Sequence, residues 1–168
     1  MRILGVDPGT RVAGYGVLET DGGRVRALCY GVIRAERGSP ATLPARLLRV
    51  YRGLSETIAE WRPDAVAIEE AFVARNVRSA LAIGEGRAAA MLAAAERGVP
   101  VFEYAPTLVK KAVTGRGAAR KPQVQAMVRM LLGLARDPAP LDAADALAVA
   151  FCHVHRARAP ARKGGSEA

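Results

Sequence analysis

Apolar runs and turn residues predict that the first part of the chain is a three-stranded antiparallel unit. Residues 2–6 form a short apolar strand, and residues 12–20 and 24–34 have the composition of two longer strands. The Asp-Gly-Gly sequence at 21–23 indicates a hairpin turn between them, because glycine accepts positive φ. The first strand is short and apolar and leads directly into the hairpin. We therefore place it at the centre of the sheet.

The pattern then alternates between helices and strands. A helix over about 42–61 is indicated by apolar residues at helical spacing, namely Leu47, Tyr51, Leu54, Ile58 and Trp61. Buried strands are predicted at 64–69 and 99–104, and further helices at about 76–97, 106–113, 122–133 and 141–157. This order predicts an α/β fold: a mixed five-stranded sheet, three antiparallel strands and then parallel additions, with helices on both faces. The fourth strand should lie parallel beside the first, after a right-handed crossover.

Length and composition fit one domain over residues 1–157, with 158–168 as a disordered basic tail. No apolar run reaches the ~18–20 residues that a membrane-spanning helix needs. The chain enters its first strand without a leader segment, so we expect a cytoplasmic protein. The two cysteines, Cys29 and Cys152, lack metal-ligand spacing, and we expect buried thiols.

Positive charge is concentrated in the second part of the chain. The net charge is +9. Residues 1–70 carry ten basic and nine acidic side chains, or +1, whereas residues 71–168 carry fifteen and seven, or +8. Such an excess indicates a surface that binds a polyanion, most simply nucleic acid. The alternative is a solvated face together with a basic tail.

Four carboxylates follow or interrupt apolar segments. Asp7 closes the first strand, Glu69 closes the fourth, and Asp142 and Asp145 lie three residues apart in an otherwise apolar helix. Burying an ionised acid costs several kcal/mol or more unless a cation or donor offsets it. Each acid also has a local explanation: a turn before Pro-Gly, a solvated strand end, or a favourable helix dipole. Because the three elements can converge at one edge of the sheet, we predict a shared metal site.

The ligand set indicates which metal this site would take. All four groups are oxygen donors, without histidine or cysteine, which suits Mg²⁺ or Mn²⁺ and argues against zinc. Hard cations beside a basic surface indicate phosphodiester chemistry. Two ions ~4 Å apart would activate water and stabilise the departing oxygen. The residues alone thus predict a metal-dependent phosphodiesterase that acts on nucleic acid.

The motifs around these acids resemble those of the RuvC family, the bacterial Holliday-junction endonucleases of the RNase H-like superfamily. The resemblance extends over about residues 1–157. Its most specific motifs are Gly5-Val6-Asp7-Pro8-Gly9-Thr10-Arg11, Ala67-Ile68-Glu69-Glu70-Ala71-Phe72, Phe102-Glu103-Tyr104-Ala105 and Asp142-Ala143-Ala144-Asp145-Ala146-Leu147-Ala148. The resemblance implies an RNase H-like fold.

Matching these motifs implies roles for individual residues. The family's metal-binding, catalytic acids fall on Asp7, Glu69, Asp142 and Asp145. Its two functional lysines fall on Lys110 and Lys121, which would stabilise the charged transition state. Its aromatic residue at the junction fork falls on Phe72, where it would stack on an unpaired base. Taking Glu69 rather than Glu70 preserves the spacing to this aromatic residue. Without the resemblance, Phe72 could be a core residue and the lysines ordinary surface residues.

Other basic residues near these motifs are candidates for DNA contacts. Arg75, Arg78, Arg116 and Arg120 are predicted to contact phosphates, and Lys111 adds charge beside Lys110. A solvated basic face is the alternative explanation.

The resemblance implies a Mg²⁺-dependent endonuclease, with Mn²⁺ as a substitute and two ions per site. It would resolve four-way DNA junctions by paired symmetric nicks in recombination and repair. It implies a homodimer packed through the Ala- and Gly-rich helix around 79–95, and a RuvA–RuvB branch-migration complex as partner. Three alternatives remain: a nuclease of RNase H type that cuts RNA–DNA hybrids, an ATPase of the actin and sugar-kinase type, and a non-catalytic DNA-binding dimer.

Overall fold

The computed structural model of the chain describes residues 1–36, 41–70 and 77–158, with side chains at all of these except 77–80 and 158. The strands are β1 Arg2–Asp7, β2 Val12–Asp21, β3 Arg24–Arg34, β4 Ala65–Glu69 and β5 Val101–Tyr104. The helices are α1 Leu43–Trp61, α2 Val77–Glu96, α3 Pro106–Thr114, α4 Lys121–Leu132 and α5 Leu141–Arg158.

The five strands form one mixed sheet in the order β3-β2-β1-β4-β5. β1 is antiparallel to β2 and parallel to β4, and β5 extends the sheet in the same parallel direction. Val6 pairs with Ile68, so β1 and β4 end side by side, and Asp7 and Glu69 leave the sheet at the same edge. The predicted fold, including the central place of the first strand, is confirmed.

Alternation along the central strand divides the core into two halves. Ile3 faces a cluster formed with residues of α3, α4 and α5, whereas Leu4 and Val6 face a cluster formed with α1 and α2. All three side chains are fully buried. Because successive side chains of a strand point to opposite faces, β1 must be apolar throughout to serve both halves.

Glycines let α5 lie directly on the sheet. A Cβ added to Gly5 of β1 would lie 2.0 Å from the carbonyl oxygen of Ala146, and one added to Gly14 of β2 would lie 2.0 Å from that of Asp142. Neither position therefore has room for a larger residue. Gly14 is the ladder partner of Asp7. This close approach therefore brings the first turn of α5 to the end of β1.

The element boundaries differ from the predictions by a few residues. β5 begins at Val101 rather than at 99, and Pro122 is the second residue of α4 rather than its first. Arg120 precedes α4 in an extended conformation, and its N–H donates to Oε1 of Gln123 at 2.9 Å. This bond satisfies a main-chain donor next to the helix start, so the helix can begin at Lys121.

The helices and the two cysteines bear on two further expectations from composition. None of the helices within the described ranges is long and apolar enough to cross a membrane. Both cysteines are free thiols; Cys152 is buried and Cys29 is partly buried. Burial raises the pKa of each thiol to about 11, so both stay protonated at neutral pH.

Candidate active site

Three elements bring four carboxylates to the same edge of the sheet. Asp7 is the last residue of β1, Glu69 is the last of β4, and Asp142 and Asp145 lie in the first two turns of α5. All four are partly buried. The sequence predicted this convergence from strand ends and helical spacing, and the structure brings these four residues together.

The electrostatics of Asp7 show how closely the acids interact. Burial, followed in order of effect by the charges of Asp145, Glu69 and Asp142, raises the pKa of Asp7 from 3.8 to about 7. The ammonium of Lys121 acts in the opposite direction. Asp7 thus lies where negative charge exceeds positive charge, which is the environment of a cation-binding site.

Glu69 belongs to the same cluster, whereas its neighbour Glu70 is exposed. Burial raises the pKa of Glu69, and the charge of Asp145 raises it further. Lys121 and Lys110 lower it. Because successive residues at a strand end point in opposite directions, Glu70 faces away from the cluster.

Lys121 is the closest positive charge to the acids among the described residues. Its Nζ donates a hydrogen bond to Oδ2 of Asp145 at 2.9 Å. This bond, and then the charges of Asp145, Asp7 and Glu69, raise the pKa of Lys121. The side chain therefore stays charged at neutral pH and projects from the first residue of α4 toward the acids. Lys110, on α3, is partly buried, and its charge lowers the pKa of Glu69.

The donor set fits a hard divalent cation, although the side chains are not drawn together around one. Within residues 1–36, 41–70 and 77–158, no three acidic, histidine or cysteine side chains are close enough to ligate a single ion. Like charges without a cation between them repel, and Lys121 holds one oxygen of Asp145. The oxygen donors, their partial burial and the raised pKa of Asp7 nevertheless match what a divalent cation requires.

The predicted DNA-contacting residues fall into two groups. Phe72 and Arg75 lie outside the described residues, and Arg78 lies in α2 at a position where the side chain is not described. Lys111, Arg116 and Arg120 are exposed on α3 and on the loop before α4. This loop leads into Lys121, whose Nζ contacts Asp145 of the acid cluster.

One buried polar pair was not predicted from the sequence. The hydroxyl of Tyr104, on β5, lies 2.7 Å from Nδ1 of His153, on α5. The two residues are 49 positions apart. The available signal was a histidine on the helix that carries Asp142 and Asp145, in an otherwise apolar segment.

Comparison with protein families places this chain in a known group. Residues 3–153 match the family model described as "Crossover junction endodeoxyribonuclease RuvC". A protein of that name from Chloroflexus aggregans is 50% identical over 166 residues, which cover 99% of this chain and 100% of the relative. One from Syntrophomonas wolfei is 49% identical, and the match covers 94% of this chain and 91% of the relative.

A solved structure shows the same fold at substantial sequence identity. The structure titled "T. thermophilus RuvC in complex with Holliday junction substrate" superimposes with a TM-score of 0.86 and is 40% identical. The match covers 94% of this chain and 95% of the other. The family resemblance found in the sequence motifs is thereby confirmed.

Proposed function

Because the chain belongs to the RuvC family of crossover junction endodeoxyribonucleases, we propose that it resolves four-way DNA junctions by paired symmetric nicks, in recombination and repair. As a member, it is an endodeoxyribonuclease that hydrolyses phosphodiester bonds. The observation that carries the proposal is the electrostatic coupling of Asp7 to Glu69, Asp142 and Asp145 at one sheet edge. We also propose a cytoplasmic location for a nuclease of this family.

Membership of this family implies dependence on a divalent metal, and we propose Mg²⁺, with Mn²⁺ as a substitute. Asp7, Glu69, Asp142 and Asp145 would hold the metal, two ions per site, because four carboxylates supply more charge than one ion neutralises. When bound, the metal supplies an activated water and stabilises the departing oxygen.

The chain's own basic groups have a separate task in this mechanism. Lys121 carries a full charge next to Asp145, at the position where a scissile phosphate would approach the acids. It would stabilise the additional negative charge that the phosphate acquires in the transition state. Lys110 contributes from α3 by its effect on Glu69. The exposed Lys111, Arg116 and Arg120 would bind flanking phosphates, and Phe72, Arg75 and Arg78 remain predicted contacts.

We propose that the active form is a homodimer packed through α2. Ala89, Ala90, Ala93 and Ala94 are buried against the chain's own core. The outward side instead carries Leu81 and Leu92, each 62% exposed. Large exposed apolar side chains on one helical face indicate an unpaired interface. A two-fold dimer would present two sites to a junction that is itself nearly two-fold.

The dimer can be tested by replacing one of these leucines. Leu92→Glu should give a monomer in analytical ultracentrifugation and should abolish paired nicking. Met130→Glu is the matched control, because Met130 is 67% exposed on α4 and should leave the dimer intact. A dimeric Leu92→Glu protein would place the interface elsewhere.

The RuvA–RuvB complex is proposed as a partner on the family resemblance.

One experiment separates the proposed function from its alternatives. The pure protein is given Mg²⁺ with a mobile four-way DNA junction, a linear duplex, an RNA–DNA hybrid, or ATP. We expect paired nicks in the junction and little turnover of the others. Turnover of the hybrid would indicate an RNase H-type nuclease, hydrolysis of ATP an ATPase, and binding without cleavage a non-catalytic dimer. Asp7→Asn serves as the control for a contaminating nuclease.

A further inference from the structure

Tyr104 connects β5 to the acid-bearing end of β4. Its main chain is the ladder partner of Glu69. Its carbonyl oxygen accepts a hydrogen bond from the N–H of Glu70 at 2.9 Å. Tyr104 is 7% exposed, so these contacts lie within the core. The main chain of Tyr104 therefore fixes the point at which β4 ends and Glu69 leaves the sheet.

The side chain of the same tyrosine contacts α5. Its hydroxyl lies 2.7 Å from Nδ1 of His153, which is 6% exposed. Burial lowers the pKa of His153, so the ring is neutral near pH 7 and one ring nitrogen can accept a hydrogen bond. Burial also raises the pKa of Tyr104, which therefore keeps its proton and donates it. The ring of Phe102 packs against His153 with centroids 4.7 Å apart.

The position of His153 on α5 relates this bond to the acids. His153 follows Asp142 by eleven residues and Asp145 by eight. Eleven residues rotate a helix through about three full turns, so Asp142 and His153 lie on nearly the same face. Contacts with Gly5 and Gly14 limit how closely α5 approaches the sheet. A hydrogen bond is directional, so it additionally fixes the rotation of the helix and its position along the sheet.

We propose that Tyr104 and His153 are positioning residues of the active site. The main chain of Tyr104 sets the place of Glu69, and its hydroxyl, through His153, sets the place of Asp142 and Asp145. The inference rests on the proposed function, since it concerns the same four acids. Loss of the Tyr104–His153 bond should loosen the two acid-bearing elements relative to each other. It should weaken cation binding while leaving the DNA-contacting surface unchanged.

The experiment measures Mg²⁺ affinity in the absence of DNA, from the dependence of the melting temperature on Mg²⁺ concentration. Tyr104→Phe removes one oxygen atom, and His153→Leu removes the acceptor. We expect each substitution to weaken the apparent Mg²⁺ affinity about three- to tenfold. Replacing a residue that hydrogen-bonds directly to a metal-ligating side chain typically costs more, roughly 10–100-fold. Metal-free junction affinity should stay within about twofold of wild type, because these buried residues lie outside the DNA-contacting surface.

Two further variants separate positioning from general stability. Val50→Ala removes buried volume from α1 on the opposite face of the sheet, so it should lower the melting temperature without changing Mg²⁺ affinity. His153→Asn keeps an acceptor near the position of Nδ1 and should recover part of the affinity. The inference is overturned if Tyr104→Phe binds Mg²⁺ like wild type, or if Val50→Ala weakens binding equally. A wild-type protein that binds Mg²⁺ but does not cleave junctions would instead overturn the proposed function.

Discussion

Lys121 and Asp145 are joined by a hydrogen bond of 2.9 Å between Nζ and Oδ2, although they come from different helices. This contact brings an ammonium group to the edge of a cluster in which four carboxylates repel one another. The same ammonium lowers the pKa of both Asp7 and Glu69. Lys121 is therefore part of the charge balance of the site as well as a candidate partner for the substrate phosphate.

Lys121→Gln should lower the single-turnover rate of junction cleavage by about 10²-fold, because it removes a charged donor from the place where transition-state charge develops. Junction affinity should change much less, since one of several phosphate contacts is lost. Lys111→Gln is the matched control, because Lys111 is exposed on α3. A Lys121→Gln rate within about threefold of wild type would exclude this role.

Without metal, the protein should become less stable as the pH rises from about 4 to about 7. Burial and three neighbouring carboxylates raise the pKa of Asp7 from 3.8 to about 7, so the folded state holds a proton that the unfolded chain has released. In this window the free energy of unfolding falls by about 1.4 kcal/mol per pH unit for one proton. Above about pH 7 both states are ionised, and the loss levels off. The free energy of unfolding can be measured by urea denaturation in EDTA between about pH 4 and about pH 8.

Asp7→Asn is the control for this pH dependence, because it removes the titrating group with little change of shape. It should flatten the profile and make the protein more stable than wild type at about pH 8 in EDTA. Asp145 is a less direct choice, since its replacement also removes the partner of Lys121. Added Mg²⁺ should stabilise wild type more than the variant. A variant that is less stable than wild type at this pH would contradict the crowding of charge at Asp7.

The sequence predicted the acid cluster because its placement follows from local rules. β1 and β4 are parallel neighbours, so residues that close them, Asp7 and Glu69, must leave the same edge. Asp142 and Asp145 share a helical face at a spacing of three. The small residues Gly5 and Gly14 lie within or next to the family motifs, and they allow α5 to approach this edge.

The contacts between distant elements could not be predicted in the same way. Lys121 and Asp145 are 24 residues apart, and their hydrogen bond depends on how α4 packs beside α5. Tyr104 and His153 meet only because the C-terminal part of α5 packs against β5. Neither contact can be read from a periodic pattern in the sequence, because both depend on how whole helices and strands pack against one another. The boundary of β5 was likewise misplaced by two residues because the apolar run begins before the ladder does.

Glu69→Gln should reduce junction cleavage to below about a tenth of the wild-type rate, whereas Glu70→Gln should have a mild effect. Glu69 is partly buried within the acid cluster, while Glu70 is exposed next to it. Loss of a metal ligand removes transition-state stabilisation, but loss of a solvated neighbour does not. Cleavage of a labelled junction at saturating protein measures both. If the two effects were exchanged, the ligand on β4 would be Glu70.

Junction binding should weaken steeply with salt, and part of that dependence should come from the loop between α3 and α4. Each phosphate neutralised contributes about −0.9 to the slope of log affinity against log salt concentration. Arg116 and Arg120 are exposed on this loop, which leads into Lys121 at the acid cluster. Replacing both by alanine should therefore make the slope shallower by about 1.8.

The control for this prediction removes the same charge from the opposite edge of the sheet. Arg24 begins β3 after the hairpin, and Arg97 follows the end of α2. Both are exposed and lie at the edge where β1 begins, away from Asp7. Replacing these two by alanine should leave the slope near the wild-type value, because they are placed where a junction bound at the acids does not reach. Equal flattening by the two double variants would mean that net charge alone, rather than the loop beside Lys121, attracts the DNA.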